Sequence, residues 1–114
     1  MKTNSTKLYL SHILESIEKL EEIKTSTSKD DFINSWILQD AVLKNFIVIG
    51  EAVANIDEEI KQYYPKINWR GAKSMRNFIV HEYFSVDLNF VWETLFETIP
   101  DFKIQIQTIV KDFN

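Results

Sequence analysis

Two glycines and two prolines are all that interrupt the backbone of this 114-residue chain, and that scarcity constrains the fold more than any other feature. Apolar residues recur mostly three and four positions apart, which is how one face of a helix repeats, and strand-like alternation is nearly absent. The expected fold is all-α, a small antiparallel bundle of four to five helices in one domain, 1–114.

The helices can be placed from their stripes and caps. Leu10, Ile13, Leu14, Ile17, Leu20 and Ile23 form one apolar stripe behind Ser5 or Thr6 as a cap, so a first helix is expected over about 6–24. Ser28 with Asp31 three residues on has the pattern of a capping box. From Asp31 to Ile56 a second long helix is expected after a short turn near Ser35, interrupted only by Gly50. DEEIKQYY then adds one or two helical turns closed by Pro65. A third helix begins near Asn68 or Trp69 and ends near Phe84, Ser85 and Asp87 offer a cap for a fourth, and Pro100 suits the first turn of a last segment.

The absence of cysteine rules out disulfides, thiolate-bound zinc and cysteine nucleophiles. The charged N-terminus lacks a signal-peptide core and no run approaches bilayer length, so a soluble, cytoplasmic protein without a membrane partner is expected. A net charge of −4 argues against a general nucleic-acid footprint, yet Lys61, Lys66, Arg70, Lys73 and Arg76 fall between Ile60 and His81 without a single acid among them. Such a segment is either a solvated helix face or a phosphate-contacting one.

That basic segment runs into RNFIVHEY, residues 76–83. Residues four apart on a helix differ by about 40° and residues seven apart by about 20°, which predicts Asn77 beside His81 and Arg76 beside Tyr83. An imidazole titrates near neutral pH and can take a proton from a ribose 2′-hydroxyl or give one to a leaving 5′-oxygen. Arg76 supplies a permanent charge for phosphate oxygens, and Asn77 can hold the imidazole or contact phosphate. This chemistry needs no metal and no cofactor. A structural reading stands beside it, with His81 as a helix-end cap and Arg76 paired to Glu82 or Glu51. His12 has no polar constellation nearby in sequence and is read as structural or exposed.

Arg76, His81 and Tyr83 satisfy R-x-x-x-x-H-x-Y, and with QDAVLKNFIVIGEA (39–52), YYPKINWRGAKSMRNFIVHEYFSVD (63–87) and VW (91–92) the chain resembles the HepT-like toxins of the HEPN superfamily. The resemblance implies a metal-independent endoribonuclease, acting on tRNA, with Arg76 and His81 catalytic, Asn77 in support, and a homodimer whose third helices meet so that both pairs line one cleft. Lys66, Arg70 and Lys73 become candidates for RNA contact. It also implies a type II toxin–antitoxin pair, with a minimal nucleotidyltransferase as antitoxin that transfers AMP to Tyr83. GAKSM departs from the pattern, which has an aliphatic or β-branched residue near Lys73. Glu51, in IGEA, either belongs to the site or simply pairs with Arg76. The competing functional reading is a non-catalytic helical dimer that binds a nucleotidyltransferase or a nucleotide.

Overall fold

The computed structural model describes residues 2–113, with side chains from Ser5 onward. Seven α-helices and one 3-10 turn follow in order: α1 Lys2–Ser26, α2 Lys29–Asn34, α3 Trp36–Asn55, α4 Glu58–Tyr63, α5 Trp69–His81, the 3-10 turn Tyr83–Ser85, α6 Leu88–Glu97 and α7 Ile99–Phe113. No strand occurs among the described residues. The all-α expectation holds, with more helices than the four to five expected because short polar breaks divide the longer stripes.

Those breaks have local causes. Ser28 accepts from the Asp31 amide at 3.1 Å while Asp31 accepts from the Ser28 amide at 3.3 Å, the reciprocal capping box the spacing predicted. Ser35 ends α2 in extended backbone and caps α3 by accepting from the Leu38 amide at 3.2 Å, so the region from Asp31 to Ile56 is two helices. Gln39 then donates to the carbonyls of Phe32 and Ile33 at 3.0 and 2.9 Å, satisfying acceptors left open at the end of α2. At the N-terminus the expected cap fails. α1 already runs from Lys2, so Ser5 and Thr6 lie inside the helix and Thr6 is buried.

The core forms where α1, α3, α6 and α7 face one another. Leu10, Ile13, Ile17 and Leu20 of α1 are fully enclosed with Val42 and Val53 of α3, Val91 and Leu95 of α6, and Ile106 and Ile109 of α7. Phe32 of α2 stacks on Trp92 at 5.3 Å and closes one end. α3 packs against α1 and against α5, while α7 packs on α1 and α6.

α5 packs on α3 through a close crossing at Gly50. A side chain there would collide with Cβ of Arg76, so glycine is what lets the two backbones approach. Asn68 starts α5 by accepting from the Gly71 amide at 2.9 Å, and Trp69 anchors it by donating from its indole to the Tyr64 carbonyl at 3.0 Å.

Candidate active site

α5 buries little of itself. Only Trp69 and Ile79 are buried, while Arg70, Lys73, Asn77, Val80 and His81 are exposed. One edge of the helix is nonetheless tied to α3 by two polar links. Arg76 Nη1 donates to Glu51 Oε1, and the Tyr83 hydroxyl donates to Asp40 Oδ1 at 2.7 Å. Arg76 lies over Gly50 and Tyr83 reaches Asp40, so α3 and α5 run antiparallel. Asp40 and Glu51 are eleven residues, roughly 16 Å, apart along one exposed face of α3, and that face with the edge of α5 forms a strip carrying both links.

Arg76 is the more enclosed member, with its side chain 21% exposed against 52% for Glu51. Its Nε is buried without a hydrogen-bond partner among the described residues, so the carboxylate engages the guanidinium through one nitrogen rather than as a two-point fork. Of the two pairings left open in the sequence, Glu51 is the observed one, and Glu82 instead accepts from the Ser85 hydroxyl at 3.1 Å. An ion pair of this kind holds the guanidinium at the surface and leaves N–H groups for a second anion.

His81 closes α5 with no hydrogen-bond partner among the described residues. Asn77 lies one turn back, likewise exposed, and no bond joins them, so Asn77 does not hold the imidazole in this state. Five residues of helix separate Arg76 from His81 by about 140° of rotation. The guanidinium therefore lies along α3, bonded to Glu51, while the imidazole is exposed to solvent.

Tyr83 corrects the sequence reading. The helix does not continue to Phe84. It stops at His81, Glu82 leaves helical dihedrals at φ −114° and ψ 25°, and residues 83–85 form a 3-10 turn with the Ser85 amide donating to the Glu82 carbonyl at 2.8 Å. Asp87 sets that end, because its side chain accepts from the Asn89 and Phe90 amides and starts α6. Tyr83 is consequently not stacked above Arg76. It meets Asp40, a residue sequence reasoning missed, although Asp40 and Glu51 are the two acids of α3 and their eleven-residue spacing, which puts them on one face, was visible. The hydrogen bond to Asp40 raises the phenol above its ordinary value.

The RNA-contact candidates separate. Arg70 and Lys73 are exposed along α5, whereas Lys66 lines a cavity of about 410 Å³ between α3, α5, α6 and α7 whose other charged residues are Glu93, Glu97 and Asp101. Lys66 is itself exposed, like Arg70 and Lys73. His12 is exposed and meets Tyr9 edge-on at 6.3 Å, away from the site.

An all-α bundle that presents R-x-x-x-x-H-x-Y at the end of one surface helix is of the HEPN-like class. The family model described as Ribonuclease HepT-like matches residues 13–109, and the chain belongs to that family. A Thermococcus cleftensis protein named "Probable ribonuclease HepT" is 37% identical over 107 residues, covering 94% of this chain and 97% of that one. A Caldanaerobacter subterraneus protein named "Putative RNase" is 35% identical, covering 90% and 92%. A Methanocaldococcus jannaschii protein named as a gamma-glutamylcyclotransferase and "putative RNase" is 41% identical over 95% of this chain, which spans 49% of that relative's length. No solved structure matches. No helix among the described residues is long and apolar enough to cross a membrane.

Proposed function

We propose that the chain is the toxin of a type II toxin–antitoxin pair, a metal-independent endoribonuclease that cuts tRNA in the cytoplasm, built as one domain over 1–114. The observation that carries this reading is the intact motif at the end of α5, with His81 exposed and without a hydrogen-bond partner among the described residues and Arg76 bonded to Glu51. His81 takes the 2′-hydroxyl proton or protonates the leaving 5′-oxygen, and Arg76 stabilises the charge that builds on the phosphoryl oxygens. Asn77 and Glu51 support these two groups, while Lys66, Arg70 and Lys73 contact the RNA backbone.

One protomer leaves Arg76 and His81 on different sides of α5, which favours a site shared between two copies. Trp36, Ile37, Val80 and Phe84 expose apolar side chains on α3, on α5 and just beyond it, the kind of surface a two-fold partner would cover. The homodimer brings both Arg76 and His81 pairs into one cleft. A minimal nucleotidyltransferase acts as antitoxin by adding AMP to Tyr83, which places an anion and a bulky group in that cleft.

Purified chain incubated with tRNA tests the reading. Wild type cleaves with or without a chelator, and His81→Ala and Arg76→Ala lose activity by on the order of 10²-fold or more. Equal cleavage by His81→Ala overturns the catalytic assignment. The engagement of Arg76 by Glu51 favours one alternative, a non-catalytic dimer that binds a nucleotidyltransferase or a nucleotide, and wild type that never cleaves supports it. Light scattering at micromolar concentration that gives a monomer mass removes the shared cleft.

A further inference from the structure

Two tyrosines in this chain donate to carboxylates at the same distance, and their settings differ. Tyr64 donates to Asp112 Oδ2 at 2.7 Å, is half-buried, and joins the loop before α5 to α7. Tyr83 donates to Asp40 Oδ1 at 2.7 Å with both partners exposed, and its ring otherwise meets Phe84, edge-on at 5.3 Å and itself 99% exposed. A solvent-exposed hydrogen bond of this kind adds little to stability, so the Asp40 pair is not explained by the needs of the fold. It does hold a phenolic oxygen at a fixed place on an open surface, with a carboxylate directed at its proton.

We propose that Asp40 is the general base that makes Tyr83 an acceptor for a nucleotidyl group. At neutral pH a phenol is protonated and a poor nucleophile. When its oxygen attacks the α-phosphorus of a nucleoside triphosphate, a new O–P bond forms, the bond from the α-phosphorus to its bridging oxygen breaks, and pyrophosphate leaves. The phenolic proton passes to Asp40 Oδ1, already in hydrogen-bond reach, so no phenolate has to form beforehand. The product cannot return to the starting arrangement. Modified Tyr83 has no hydrogen to donate, and its phosphodiester anion repels the Asp40 carboxylate, so the modified turn loses its tie to α3. This rests on the reading of Tyr83 as the modified residue.

The experiment follows AMP incorporation by intact mass, with ATP and a minimal nucleotidyltransferase, in wild type, Asp40→Asn, Asp40→Glu and Tyr83→Phe. Asp40→Asn keeps a polar side chain beside the phenol but removes the base. Its modification rate is expected to fall by on the order of 10²-fold at neutral pH and to climb with pH as solvent takes over the proton, whereas the wild-type rate stays flat. Asp40→Glu recovers part of the loss, which a merely structural role would not predict, and the Tm of Asp40→Asn stays that of wild type. Asp40→Asn modified as fast as wild type, with the same pH profile, overturns the role of Asp40 and leaves Tyr83 as the target. Wild type that gains no AMP on Tyr83 overturns the reading of Tyr83 and the proposal with it.

Discussion

α1 and α5 are both helices of one bundle, and they spend their residues in opposite ways. α1 encloses Leu10, Ile13, Ile17 and Leu20 completely, whereas α5 buries only Trp69 and Ile79 along thirteen residues. The first is held by apolar area removed from water, at about 25 cal/mol per Å². The second is held by a close backbone crossing at Gly50 and by Trp69 and Ile79 with the partly buried Ala72, Met75 and Phe78, while the exposed links to Glu51 and, just past its end, to Asp40 add little. A helix fastened along one edge, where Arg76 meets Glu51, leaves the side that carries Asn77 and His81 open to solvent.

If this division is right, substitutions in the two helices should separate stability from activity. The largest effect is expected at His81→Ala, with cleavage down by about 10²- to 10⁴-fold and no change in Tm, since the side chain is exposed and unpartnered among the described residues. A Tm that falls with it would make His81 structural. Ile17→Ala is the mirror case. Removing a fully enclosed side chain costs about 2–5 kcal/mol and lowers Tm by roughly 10 °C or more, while cleavage per folded molecule stays at the wild-type level.

Gly50→Ala is expected to cross the division. The added methyl collides with the first side-chain carbon of Arg76, which has no flexible end to move away, so α5 shifts on α3. Overpacking of this kind costs about 1–3 kcal/mol, and activity falls as well because the guanidinium moves. Calorimetry and cleavage on the same preparation check this, and full activity would show that Arg76 is not placed by the crossing. The smallest effect concerns pH. Burial and the hydrogen bond to Asp112 push Tyr64 up to about 12, from 10. A raised value means that the protonated phenol is favoured by folding, so its contribution is complete below about pH 10 and is lost as pH rises towards 12. Tyr64→Phe should lower stability slightly at neutral pH and flatten its decline in that alkaline window, measured by denaturant unfolding at several pH values.

How much of this was legible beforehand depends on whether the signal was local. The capping box at Ser28, the turn at Ser35, the helix start near Asn68, the cap at Asp87 and the apolar stripe of α1 all depend on neighbours within a few positions, and each was readable. The motif was readable for the same reason, as a spacing. Its geometry was not. Extending a helical wheel through Tyr83 assumed a helix that stops at His81, so the predicted pairing of Tyr83 with Arg76 failed and Asp40 went unnoticed. The place of Lys66 was not readable either, because sequence order groups it with Arg70 and Lys73 while the fold also puts it on the lining of a cavity shared with α6 and α7.

By itself the sequence determined the helical class, most of the segment ends and the motif that carries Arg76 and Tyr83, because periodicity, capping and spacing are written between residues a few positions apart. Only the tertiary structure decided which carboxylate each of them meets. Glu51 lies 25 residues from Arg76 and Asp40 lies 43 from Tyr83, and what brings both pairs together is the antiparallel crossing of α3 and α5. That crossing depends on the missing side chain at Gly50, whose effect is felt only when a second helix is laid across it.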